Sequence, residues 1–128
     1  MFIIIICMAV VVIMPIIAKV PVVFALFKQG KYDNKHPRQQ QARLEGLGAR
    51  AVAAHNNCFE AICYFAPTIL LVLALDKYNV YTMQWCVAFV ILRFLYLGFY
   101  WANWHFLRSL VWAAGMATLV PHYWLLLS

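Results

Sequence analysis

Residues 2–27 read FIIIICMAVVVIMPIIAKVPVVFALF, and no charged residue precedes Lys19. How this stretch meets solvent decides the fold. A helix of about 20 apolar residues crosses a hydrocarbon core of about 30 Å, and this run is long enough. A cleaved leader would open on basic residues, followed by a shorter apolar core and a small-residue cleavage site. The opening MFIIIICMAVVVIMP carries no base, so the segment is expected to stay as a membrane helix.

Working outward, three more apolar stretches follow, at about 47–75, 80–101 and 110–127. Of the 128 residues, 66% are hydrophobic and 11% charged, against roughly 45–50% and 25% in soluble domains. Backbone in lipid must satisfy itself, which leaves helices or closed barrels. None of the four stretches shows the period-two alternation of barrel strands. The expectation is an all-α integral membrane protein: an up-and-down four-helix transmembrane bundle spanning residues 1–128 as one domain. Pro15, Pro21, Pro67 and Pro121 fall inside the spans, where kinks are expected.

Most of the net charge of +6 gathers in the first connection, KQGKYDNKHPRQQQAR at residues 28–43, where Lys28, Lys31, Lys35, Arg38 and Arg43 face the acid Asp33. The second connection balances Asp76 with Lys77, and the third, ANWHFLRS at 102–109, offers His105 and Arg108. The positive-inside rule puts the first and third connections in the cytoplasm and both termini on the other side. Nothing resembles a base-reading module, so no nucleic-acid partner is expected. Cys7, Cys58, Cys63 and Cys86 all lie in spans without a C-x-x-C pair. They read as core residues, and no metal site is expected. His105 and His122, at helix ends, read as interfacial.

At 100° per residue, Arg43, Arg50, Asn57, Glu60 and Tyr64 share one face of the second helix, while His55 and Asn56 project elsewhere. On the third helix, Arg93, Tyr96, Tyr100 and Asn103 occupy an arc of about 80°. Charge at membrane depth faces the bundle interior and pairs. Glu60 lies about 15 Å in from Arg50, and Arg93 about 14 Å in from Ala102. A buried Glu60–Arg93 ion pair is therefore expected, with Asn57 and Tyr96 or Tyr100 satisfying the remaining donors and acceptors. Arg43, Arg50, His55, Arg108 and Ser109 converge at the mouths of these stripes, as a site for an anionic ligand would require.

The pattern R-x4-H-x-N-x2-E, here Arg50, His55, Asn57 and Glu60, resembles the second-helix signature of the MAPEG family, the membrane-associated proteins in eicosanoid and glutathione metabolism. Arg93, Tyr100 and the pair Arg108–Ser109 follow in the same order, and YDNKHPRQQQARLEG is similar to the bacterial branch. The resemblance implies a homotrimer in a bacterial inner membrane, binding glutathione between subunits and taking lipophilic substrates from the membrane lipids. It implies that Arg108 and Ser109 stabilise a thiolate, that Asn57, Glu60, His55, Arg93 and Tyr100 hold the tripeptide, and that Lys19 and Arg50 add positive charge. Ala53 and Asn56 stand where glutathione-binding relatives carry bases, and Trp112 replaces another aromatic. The function implied is a glutathione-dependent transferase or peroxidase. The alternatives are a non-catalytic membrane protein that uses the polar core for assembly, and a small quinone or haem carrier.

Overall fold

The computed structural model describes residues 1–128. It is all helix: α1 Phe2–Lys28, α2 Pro37–Ala42, α3 Gly46–Ala74, α4 Val80–Trp101, α5 His105–Ala117 and α6 Val120–Leu127. α1, α3, α4 and the combined 23-residue segment His105–Leu127 are each long and apolar enough to cross a membrane. The protein is a multi-pass membrane protein built on four such crossings.

The fourth span departs from expectation. It starts at His105 rather than Leu110 and breaks between α5 and α6. Thr118 Oγ1 donates to the Gly115 carbonyl at 2.7 Å, and Pro121 has no N–H to return to the preceding turn, so the α ladder stops and restarts. α5 packs on α4, whereas α6 turns across α3 and α4. Tyr123 Oη lies 2.7 Å from Thr68 Oγ1, and Lys77 Nζ donates to the Leu126 carbonyl at 3.3 Å. These contacts close the end of the bundle opposite the basic connections.

α3 and α4 both end on left-handed residues, Asp76 (φ 54°) and Asn103 (φ 63°). In each, the next amide reaches back to close the turn, Lys77 to the Val72 carbonyl and Trp104 to that of Phe99, both at 2.9 Å. Phe99 and Trp104 stack at 5.6 Å across the second turn. Asn103 therefore leaves the α4 stripe it was expected to join, and the turn delivers α5 back along α4. At the start of α4, Asn79 and Thr82 form a reciprocal cap.

Small residues set the spacing between α1 and α3. Ala18, Ala51, Ala54 and Cys58 are buried between them, and a Cβ on Gly48 would stand 2.9 Å from that of Ala25. In a bilayer, where lipid is as apolar as Leu, such close backbone approach supplies the packing energy. Deeper in, Phe65 and Phe89 stack at 4.5 Å against Ile4, Cys7, Val11 and Cys86. Two expectations change here. Cys63 is exposed rather than in the core. His122 is not interfacial: it is 1% exposed, its Nδ1 3.0 Å from the Thr118 carbonyl and its Nε2 3.7 Å from Cys86 Sγ.

Candidate functional site

Residues of the α3 and α4 stripes meet at membrane depth, but not as the expected ion pair. Arg93 is 1% exposed, and its Nη2 donates to Asn57 Oδ1 at 2.7 Å. Asn57 Nδ2 in turn donates to Glu60 at 2.6 Å. The Asn57 amide has a donor end and an acceptor end, so it serves a cation on one side and an anion on the other. Glu60 and Arg93 are not in direct salt-bridge contact. The reason is directional: Arg93 reaches across from α4 toward the Asn57 turn, whereas Glu60 projects from the outer side of α3 and remains exposed. Arg93 Nε has no partner.

From Arg93 the network runs toward the basic end of the bundle. Its guanidinium sits 4.3 Å from the Tyr96 ring centre, Tyr96 and Tyr100 meet edge to face at 5.4 Å, and the Arg108 guanidinium lies 4.4 Å from the Tyr100 ring. Cations are attracted to ring faces, so each arginine is oriented without an acid being used. Tyr96, Tyr100, Arg108, Ser109 and Trp112 line a recess of about 230 Å³. Arg108 has no carboxylate partner and is half-buried. The hydroxyl of Ser109 is occupied locally, donating to the His105 carbonyl at 3.1 Å one turn back.

Arg50 and His55 serve backbone carbonyls instead. Arg50 Nε and Nη2 donate to the Trp101 carbonyl at 3.4 and 3.2 Å, a cation capping the C-terminus of α4. His55 Nδ1 lies 2.8 Å from the Pro15 carbonyl and must donate there, which braces α3 against α1. His55 and Lys19 open onto a second groove, of about 820 Å³, with Arg38, Asn56, Phe59 and the apolar side of α1. This groove shares no residue with the recess at Arg108. One copy of the chain thus brings Asn57, Glu60, Arg93, Tyr100, Arg108 and Ser109 into one connected system, and holds Lys19 and His55 in another. The signal for Arg38 lay in the unpaired basic run of the first connection, but no periodicity places a connection over a groove.

No solved structure and no curated protein matches the chain. A protein-family model does, under the description MAPEG family, over residues 3–128. With its four crossings and its R-x4-H-x-N-x2-E helix, matched over essentially its whole length, the chain belongs to the MAPEG family.

Proposed function

We propose that the protein is a glutathione-dependent transferase or peroxidase acting on lipophilic substrates, and that it works as a homotrimer with each site shared between neighbouring copies. The observation that carries the reading is Arg108: a half-buried guanidinium, steadied on Tyr100 with no acid to neutralise it, in a recess at the basic end of the bundle. Members of this family generally use glutathione. The donor set fits it. Glutathione presents two carboxylates, an ammonium and a thiol; Arg108 and Lys19 are cations without an acid partner, and Glu60 is an exposed carboxylate.

The placement of charge supports sharing between copies. Glu60 stands about 15 Å beyond Arg50 along α3 and is exposed, as are Tyr64 and Phe59 beside it. A carboxylate facing lipid at that depth is costly, so a neighbouring copy covers this face. In the proposed trimer the groove at Lys19 would face a neighbour's recess at Arg108; the two share no residue within one copy.

Bound as thiolate, glutathione supplies the nucleophile. Arg108 holds the negative charge at sulfur by charge-assisted hydrogen bonds, which favours the thiolate over the thiol. Tyr100 keeps the guanidinium in place, and Trp112 provides an apolar wall where an electrophile enters from the bilayer. Glu60, fixed by Asn57, receives the ammonium. The positive-inside balance of the connections supports an orientation in a bacterial inner membrane with this site on the cytoplasmic side.

Equilibrium binding to detergent-solubilised protein, with ultraviolet absorbance of the thiolate as the second readout, tests this reading. Wild type is expected to bind glutathione and show the thiolate band at neutral pH, and Arg108→Ala to lose the band. Absence of binding at millimolar glutathione overturns it and leaves the polar core to assembly alone.

A further inference from the structure

Cys86 and His122 take no part in the glutathione site and sit toward the other end of the bundle. Both side chains are buried, and Cys86 Sγ lies 3.7 Å from His122 Nε2. The break between α5 and α6 orients the ring. The His122 amide bonds to the Leu119 carbonyl at 3.1 Å and Pro121 has no N–H, so the Thr118 carbonyl is left for the imidazole. A carbonyl only accepts, so Nδ1, at 3.0 Å, carries the proton and donates there. Nε2 of the neutral ring is then an acceptor, and the Cys86 thiol is its donor. A thiol, a base and a group that orients the base thus stand in line.

A recess of about 60 Å³ leads toward the pair, lined by Asn79, Thr82, Trp85 and His122 among others. Thr82 is one turn before Cys86 on α4, so the recess ends against the two residues that flank the thiol. A water molecule occupies about 30 Å³ of liquid, so a small neutral molecule fits and a tripeptide does not. A second thiol is at hand. Cys7 is buried in the same cluster as Cys86, where α1 packs on α4. Cys7 lies about 7.5 Å along α1 from Phe2, and Cys86 about 9 Å along α4 from Val80, two helices that start at the same end of the bundle. Cys58 is equally buried, but its sequence neighbour His55 is bonded to the Pro15 carbonyl instead.

We propose that Cys86, with His122 as its base and Cys7 as its resolving thiol, is a separate redox site that reduces hydrogen peroxide without glutathione. His122 Nε2 takes the thiol proton, and the Cys86 sulfur attacks one peroxide oxygen. The O–O bond breaks, the leaving hydroxide takes the proton back from the imidazolium as water, and Cys86 is left as a sulfenic acid. The Cys7 sulfur then displaces the sulfenic hydroxyl, which departs with the Cys7 proton as a second water. Two thiols are oxidised by two electrons to one disulfide, and one peroxide is reduced to two waters. The disulfide ties α1 to α4 at the end of the bundle away from Arg108.

The test exposes the purified full-length protein in detergent to hydrogen peroxide, without glutathione, and quenches it at intervals in denaturant containing iodoacetamide and dimedone. Mass spectrometry maps each cysteine. Oxidation of Cys86 is read as a ratio to that of Cys58, so loosening of the bundle, which bares both, does not pass for selectivity. In wild type Cys86 is expected to oxidise about tenfold or more faster than Cys58 and to be recovered in a peptide linked to Cys7. Cys7→Ala is expected to yield the dimedone adduct of Cys86 in place of the link. His122→Gln keeps a donor for the Thr118 carbonyl and an acceptor for the thiol but has no base, and is expected to slow Cys86 oxidation by about tenfold or more. Equal oxidation of Cys86 and Cys58 in wild type overturns the site. Absence of the Cys7 link overturns the resolving step, and an unchanged rate in His122→Gln overturns the base.

Discussion

Asn57 connects the buried charge of Arg93 to the exposed charge of Glu60, and its substitution separates the observed network from a direct ion pair. Asn57→Ala removes the side-chain acceptor of Arg93, leaving only the long 3.5 Å contact to the Asn57 carbonyl, and the donor that holds Glu60. The guanidinium is then buried without that partner, at a cost of about 1.5–3 kcal/mol for a hydrogen bond to a charged group. Glu60→Gln keeps an oxygen for Asn57 and is expected to cost less than half as much. Thermal unfolding in detergent ranks the two variants, and an equal or larger loss in Glu60→Gln would restore the direct pair. At the other end of the network, the Ser109 hydroxyl is spent on His105. Ser109→Ala should therefore lower the thiolate signal by less than about threefold, whereas Arg108→Ala should lower it by tenfold or more. The helical wheel put Asn57, Glu60 and Arg93 on facing stripes. It could not say which side chain reaches which, because reach depends on rotamer and on the offset between helices, and neither is written in a period of 3.6.

Among the elements, the two long helices α1 and α3 are sensitive where their backbones approach. Gly48→Ala would push a Cβ to 2.9 Å from that of Ala25, and both belong to rigid helix backbone, so neither side yields cheaply. Overpacking of about 1–3 kcal/mol outweighs the gain in helix propensity of about 1 kcal/mol. Gly98→Ala meets nothing within 4 Å and should cost nothing; unfolding midpoints of the pair measure the difference. The α2 segment is sensitive to pH instead. The His36 amide, with that of Lys35, holds the Asp33 carboxyl below the usual carboxylate range. A lowered value means that the folded turn favours the ionised form, so its contribution is complete above that range and is lost as pH falls through it. Protection of the Lys35 and His36 amides against hydrogen exchange should drop on acidification in that window, and Asp33→Asn should show weak protection at every pH. Hydropathy revealed the four crossings because each is a long apolar run. α2 and the break at Thr118 escaped it, since one depends on a polar clasp and the other on a hydroxyl and a proline acting together.

In the whole molecule, the cations divide between two faces that a single copy cannot join. Lys19 and Arg38 look into one groove, while Arg108 belongs to another recess beyond α4. The proposed homotrimer makes one site from two copies, and defects on opposite faces should then complement. Lys19→Ala and Arg108→Ala proteins, each assembled alone, are expected to bind glutathione weakly and to show little thiolate absorbance. Co-expressed in equal amounts, they recombine at random around a closed ring, so about a quarter of the interfaces carry both intact faces. The mixed oligomer is predicted to recover about that fraction of the wild-type thiolate signal. A mixed oligomer that shows no more signal than the average of its two parents would contradict the shared site.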